Sequence, residues 1–127
     1  MKKVTVKKLK PAITDERGSI TDILNEKLNH VGVIVTKKGS IRANHYHKLS
    51  FQYNYILSGK FEVFIAEVKN PSKVKKIILK TGDLITIPPK TIHRFKAIEN
   101  AVLLDLISES RAGGKYENDT VRVSINK

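Results

Sequence analysis

Cysteine is absent from the 127-residue chain, which removes a disulfide framework, a thiolate metal centre and a cysteine nucleophile at once. The absence agrees with a reducing compartment, and the expected location is the cytoplasm. Tryptophan is absent too, and aromatic residues make up only 6%, a poor supply of stacking platforms for nucleic acid. Long apolar runs are missing. No stretch approaches a membrane span, and Met1-Lys2-Lys3-Val4 leads into a strand-like alternation rather than an apolar signal core. Acidic residues are scarce: 12 face 24 lysines and arginines, for a net charge of +12. Such a field draws anions. The lysines are scattered, however, and no basic helix, zinc finger or aromatic RNA-binding pattern organises them. Nucleic acid and membrane are therefore not expected partners. A solvated, lysine-rich surface and a small anionic ligand are.

What is present reads as one domain over residues 1–127, long enough to bury a core without staples. No segment is a convincing amphipathic helix. Short β-prone runs recur instead at Lys3–Lys8, Ser19–Leu24, Val31–Thr36, Ser40–His47, Gln52–Leu57, Phe61–Val68, Lys75–Leu79, Leu84–Ile87, His93–Ile98, Val102–Ile107 and Thr120–Ser124. Lys38-Gly39, Ser58-Gly59, Asn70-Pro71 and Thr81-Gly82 punctuate them as turns, and Pro88-Pro89 ends a strand because neither residue donates to a ladder. Arg111–Asn118, with Gly113-Gly114, reads as a surface loop. So many short strands in a small chain leave exposed edges unless the sheet closes or doubles, so the expected fold is all-β, a barrel or jelly roll whose interior holds a ligand.

Three of the four histidines form a pattern. His45 and His47 are two residues apart in a strand-like run, so alternation sends both side chains to one face and Tyr46 to the other. His93 follows Pro88-Pro89. Imidazoles that converge in this way serve metal binding or proton transfer near neutral pH. The same alternation turns Gln52, Asn54 and Ile56 inward together and leaves Tyr53 and Tyr55 to pack outside or at a dimer contact. Tyr46 is expected to be packing, and His30 an ordinary surface or turn residue. Asp105 either orients a histidine or ends a ladder.

The spacing is more specific than the composition. Gly39, five residues, His45-x-His47, four residues, Gln52, six residues, Gly59 resembles the first motif of the cupin superfamily, which has Glu where Gln52 stands. Gly82, five residues, Pro88-x-Lys90-x-x-His93 resembles the second, with Lys90 in place of a Gly and Ala97 where Asn is common. The resemblance covers about Gly39 to Ile107 and implies a double-stranded β-helix, the cupin-type jelly roll. It also implies a divalent metal (zinc, iron, nickel, copper or manganese) on His45, His47, Gln52 and His93. A metal-free alternative uses these same groups to bind substrate and move protons. Family habit further implies a homodimer, with an alternating strand such as Lys3–Lys8 adding to a partner's sheet.

Two branches of that superfamily are resembled further. Asp15-Glu16-Arg17-Gly18, followed by Lys38-Gly39-Ser40-Ile41-Arg42-Ala43-Asn44-His45, is similar to the opening of the sugar-nucleotide 3,5-epimerases, the dTDP-4-dehydrorhamnose 3,5-epimerases among them. These show Gly-Leu where Ala43-Asn44 stand. Arg42, His45, His47-Lys48, Gln52, Ile87-Pro88-Pro89 and His93 resemble the sugar-nucleotide 3,4-ketoisomerases, and in that branch Gln at position 52 is the regular residue. The resemblance implies an isomerase of polysaccharide biosynthesis acting on a nucleotide sugar without a required cofactor. His45 would be the base, His47 its neighbour in proton transfer, Arg17 and Arg42 the diphosphate ligands, and Gln52 and His93 further substrate contacts. A metal-dependent cupin, such as a small dioxygenase, and a non-catalytic binding cupin remain the competing readings.

Overall fold

Alternation of apolar and polar residues carries through nearly every expected strand, and it stacks two antiparallel sheets on one interior. The computed structural model describes residues 3–123. Its strands are β1 (Thr5–Lys8), β2 (Ile13–Asp15), β3 (Gly18–Ile20), β4 (His30–Thr36), β5 (Ile41–His47), β6 (Gln52–Ser58), β7 (Lys60–Glu67), β8 (Lys75–Lys80), β9 (Asp83–Ile87), β10 (Thr91–Ala97), β11 (Ala101–Ile107) and β12 (Thr120–Arg122). One five-stranded sheet runs β1-β9-β6-β11-β4, the other β12-β5-β10-β7-β8, and β2 and β3 form a separate hairpin. This is the expected jelly roll. Among the described residues no helix is long and apolar enough to cross a membrane.

The interior is apolar at one end and polar at the other. Ile56, Phe61, Val63, Leu79, Ile85, Ile87, Phe95 and Leu103 form the main core between the sheets. Along the same inward faces, Gln52 and Asn54 of β6, His45 and His47 of β5, His93 of β10 and Asp105 of β11 are buried polar groups. Tyr53 lies on the other face of β6, where it packs with Leu84 and Leu106, and Tyr55 joins them at the margin. Tyr46 packs beside Phe64 and Ile92, as a core residue of the opposite outer layer. Each follows from the period of two.

Two expectations need correction. The run Ser19–Leu24 is a strand only at its start, where β3 pairs with β2, a strand the sequence reading missed (Ile13↔Ile20, Asp15↔Gly18). Ile23, Leu24 and Leu28 instead pack on the outer layer around Tyr53, so their apolar character marks a cover rather than a ladder. Arg111–Asn118 is not a plain loop: it holds a 3₁₀ turn at Ala112–Gly114 and the helix α1 (Lys115–Asp119). Within Lys3–Lys8, β1 pairs on one side with β9 of its own chain (Thr5↔Thr86 to Lys8↔Asp83) and stands at the edge of its sheet. The last run is ordered as strand through Arg122, and Ser124 lies outside the described residues, as do Met1 and Lys2.

Gly59 shows why the first motif ends in glycine. Its φ of +85° lies in the left-handed region, and a Cβ there would collide with the Asn100 carbonyl oxygen and lie 2.7 Å from Ala101 Cα. The β6–β7 turn thus closes against the start of β11. Gly59→Ala is expected to cost about 3 kcal/mol, combining left-handed strain with overpacking. Gly113→Ala, also at positive φ but with no atom within 4 Å, should cost only about 1 kcal/mol. Equal losses in a urea titration of the two variants would contradict this account.

Candidate active site

Four strands from two sheets bring the polar residues together. His45 and His93 are direct partners across β5 and β10, and the register slips by one between His93 and Arg94, where Ala43 faces Arg94. Ala43 and Asn44 both have left-handed φ, +77° and +64°. This is a bulge beside a site, a device that re-aims the next side chain. Lys90 likewise has φ +60°, the conformation for which its motif carries glycine. Its amide donates to the His47 carbonyl at 2.7 Å and ties the β9–β10 turn to β5.

The three imidazoles form a cluster. Ring centroids lie 4.8 Å apart for His45–His47, 4.7 Å for His45–His93 and 5.6 Å for His47–His93. His93 Nδ1 donates to the Thr91 carbonyl at 3.0 Å, so its Nε2 carries the lone pair, and that buried atom has no partner. His45 Nδ1 is also buried without a partner. His47 is engaged on both sides: Nε2 lies 3.1 Å from Gln52 Oε1 and Nδ1 3.2 Å from Thr120 Oγ1. Asp119 Oδ2 stands 3.5 Å from the same Nδ1.

Burial in this apolar-walled pocket disfavours charge on all three rings. His45 is held down to about 4, first by desolvation and then by His47, Arg122 and Arg111. His93 is held down to about 3 by desolvation, with His45 and His47 adding to it. Desolvation also lowers His47, against the pull of Asp119 and Gln52. At neutral pH His45 is therefore an uncharged ring with a free lone pair, the form a base requires.

The cavity that His45, His47 and Gln52 line has a volume of about 260 Å³, just below the usual range of roughly 300–1,000 Å³ for small-molecule sites. Arg42, Arg111 and Arg122 also line it, with Tyr116, Asn54 and Asp105. Arg42 is braced by Nε to Thr36 Oγ1 at 2.9 Å and Nη2 to the Val35 carbonyl at 2.8 Å. The Arg111 guanidinium stacks 3.9 Å from the Tyr116 ring centre. Arg17 stands elsewhere: it closes the β2–β3 hairpin on Asp15, at 2.7 Å, and is exposed. So His45, His47, Gln52, His93 and Arg42 come together in one chain, and Arg17 does not join them.

Sequence reasoning missed Arg111, Tyr116 and Arg122, which sit in the segment read as a loop and in the strand after it. A signal existed for one of them. Pairing of β12 with β5 sets Thr120 opposite His47 and Arg122 opposite His45, so alternation alone would have turned both inward. His30 also departs from expectation. It is half-buried, with Nε2 3.4 Å from Arg111 Nη1 and 3.8 Å from Asp105 Oδ2, beside the site rather than in a turn.

The family model of the cupin domain matches residues 32–107, the span that carries every one of these strands from β5 to β11. The chain is a cupin. Among curated relatives it is similar to SchB of Streptomyces halstedii, 35% identical over 66 residues, which are 52% of this chain and 43% of that one. The cupin thus matches less than half the length of that relative. Among solved structures it is similar to the sugar 3,4-ketoisomerase QdtA of Thermoanaerobacterium thermosaccharolyticum in complex with TDP, with TM-score 0.77 and 26% identity over 94% of this chain and 87% of the other. The TDP-quinovose 3,4-ketoisomerase WlaRB of Campylobacter jejuni gives TM-score 0.75 and 25% identity over 93% and 97%.

The donor set bears on the metal that the cupin motif implies. Ligand nitrogens of His45, His47 and His93 lie within 4.8 Å of one another, and the two unpartnered nitrogens suit an ion. The other half of the set does not. His47 Nε2 and Gln52 Oε1 are bonded to each other, and the Gln52 amide is tied to Asn54, so the four-ligand arrangement is not poised for a cation.

The histidine burial has a consequence for stability. Unfolded, each ring takes up a proton near 6.5; folded, His45 waits until about 4 and His93 until about 3. Between these limits the unfolded chain binds more protons, so stability falls as pH drops from 6.5 towards 4 and is unaffected by these rings above 6.5. Two such sites give a slope of at most about 2.7 kcal/mol per pH unit. His45→Asn should remove roughly half of that slope. A urea midpoint that stays constant from pH 7 to pH 4.5 would refute buried neutral histidines.

Proposed function

We propose that this cupin is an isomerase of nucleoside-diphosphate keto-sugars, with His45 as the base. One observation carries the reading: an uncharged, unpartnered imidazole shares a cavity with three arginines. Arginine suits a diphosphate because its planar fork engages two oxygens at once, so Arg42, Arg111 and Arg122 are the candidate anchors. The two ketoisomerases to which the chain is similar support the same substrate class. Arg17 remains a candidate only from outside the chain's own cavity.

The chemistry balances without a cofactor. His45 takes the proton from the hydroxyl-bearing carbon beside the ketone, and the electron pair moves into an enediol. A proton returns to the former carbonyl carbon while the hydroxyl proton shifts between oxygens, so the ketone has moved by one carbon with no net oxidation. If instead the proton returns to the carbon it left, on the opposite face, the outcome is epimerisation. The relatives favour ketoisomerisation. Gln52 in the cavity wall is placed to orient the sugar's oxygens and His47 to share proton transfer, while His93, fully buried, stands behind His45.

TDP is expected to raise the melting temperature, with about 2.7 kcal/mol of added stability at a hundred times its dissociation constant. Arg42→Glu should abolish the shift. His45→Ala should keep it, because a base contributes mainly in the transition state. Exchange of the sugar's α-hydrogen with heavy water, followed on a TDP-4-keto-6-deoxy sugar, should occur in the wild type and vanish in His45→Ala. No shift with TDP, together with a melting temperature that drops on chelation, would give the site to a metal-dependent cupin.

We also infer a homodimer built on β4. This strand is a sheet edge, and Val31, Val33 and Val35 stand 65%, 62% and 63% exposed along it. They continue the outer apolar layer of β11, where Val33 faces Leu104 and Val31 faces Leu106. An uncovered apolar row on an open edge is a site of association. Sedimentation should give a dimer at micromolar concentration and a monomer for Val33→Lys. A wild-type monomer would remove the inference.

A further inference from the structure

Asp105 is a buried carboxylate that the proposed chemistry leaves idle, and it begins a chain of hydrogen bonds that ends on a histidine. It lies opposite Asn54 across β11 and β6. Asn54 Nδ2 donates to Asp105 Oδ1 at 2.9 Å and to the Leu104 carbonyl at 3.3 Å. Asn54 Oδ1 accepts from Gln52 Nε2 at 2.7 Å. Gln52 Oε1 then meets His47 Nε2 at 3.1 Å.

An amide has two ends, and nothing in a lone Asn or Gln says which end faces which neighbour. Here the carboxylate decides. A reversed Asn54 would set its oxygen against both Asp105 and the Leu104 carbonyl, two acceptors in a site that is 1% exposed for Asn54, leaving buried oxygens unpaired. Asn54 must therefore offer its oxygen to Gln52, and Gln52 must answer with its NH₂. The Gln52 oxygen is left for His47, and an oxygen can only accept, so it calls for a proton on Nε2. On the ring's other side the Thr120 hydroxyl, 3.2 Å from Nδ1, gives its own hydrogen to the Tyr116 carbonyl at 2.6 Å, and Asp119 Oδ2 stands 3.5 Å away, so acceptors at Nδ1 compete for the same proton. His30 and Arg111, the cationic or titratable groups on the far side of Asp105, stand 3.8 Å from its other oxygen and hold the carboxylate in place.

We propose that Asp105 and Asn54 are positioning residues that fix the Gln52 amide with its oxygen towards His47 and so keep a proton on His47 Nε2. The place of the proton on His47 is then set by a polar chain that starts on β11. It deepens the isomerase reading, on which only the kinetic part of its test rests.

The test labels histidine with nitrogen-15 and reads ring tautomers by long-range proton–nitrogen correlation at neutral pH, with His47 assigned by its loss in His47→Asn. In the wild type, Nε2 of His47 should show a protonated nitrogen. In Asn54→Leu the Gln52 amide is free to turn, and that signature should be lost or divided between the two nitrogens. Adding Gln52→Glu to Asn54→Leu restores a pure acceptor beside His47 and should restore the signature, a rescue that a merely structural role of Asn54 does not predict. For α-hydrogen exchange, Asn54→Leu should lower kcat by ~10- to 100-fold with KM changed less than ~2-fold, within the span of acid–base effects. Asp105→Leu, read in the same way, serves if Asn54→Leu fails to fold. A wild-type His47 with its proton on Nδ1 alone, or a tautomer indifferent to Asn54→Leu, overturns the proposal. If the tautomer responds as described in a protein that neither binds TDP nor exchanges the keto-sugar, the isomerase reading fails and the polar chain stands.

Discussion

A carboxylate that is 5% exposed inside a β-barrel must be surrounded by donors, and the polar half of this cupin is arranged around that requirement. Ionised and alone in an apolar interior, Asp105 would cost several kcal/mol. Asn54 supplies a hydrogen bond from the next strand, while Arg111 and His30 approach from the rim. The same arginine that balances Asp105 also lines the cavity. Hence the carboxylate holds together a structural role, satisfying a buried charge, and a functional one, fixing the wall of a binding site.

The second buried acid follows the same logic at the other end of the site. Asp119 accepts from the Leu49 amide and from the Ser50 hydroxyl. Burial alone would raise its carboxyl, but these bonds, with His47 nearby, hold it below the ordinary value. It is the last residue of α1, so its bonds pin the short helix to the start of β6 and place Tyr116 over the histidines, 5.8 Å from the His47 ring. A helix of five residues would not form unaided. It is held by what its ends touch.

How much of this was legible depends on whether the signal was local. Alternation is local, so the inward set His45, His47, Gln52 and Asn54 and the outward Tyr53 and Tyr55 could be read from position alone. Motif spacing is semi-local and located His93. The departures from the motif proved informative rather than disruptive: Ala43 and Lys90 stand where relatives have glycine, yet both keep the left-handed backbone, at a strain of about 1–2 kcal/mol each. What was not legible is non-local pairing. Nothing in Arg111 or Tyr116 announces a cavity, because their placement depends on the bonds of Asp119. His30 looked ordinary because Asp105, its neighbour, is 75 positions away in the chain. Arg17 was grouped with Arg42 by resemblance, and its own Asp15 keeps it on the hairpin.

The neutral Gln52 makes sense against this charge pattern. A carboxylate at that position would sit 3.1 Å from His47 and within the same interior as Asp105 and Asp119, favouring protonated imidazoles and offering a cation its fourth ligand. An amide does both more weakly. It satisfies His47 by geometry instead of charge and adds no negative charge beside the arginines, of which Arg111 already stands 3.8 Å from Asp105 and Arg122 3.3 Å from Glu117, while Arg42 is held by Thr36 and the Val35 carbonyl. A base in a desolvated pocket and a cluster of cations at the same mouth are otherwise in conflict, since nearby positive charge lowers the base's proton affinity. The order of effects resolves it: burial acts first on His45, His47 next, and Arg122 and Arg111 last.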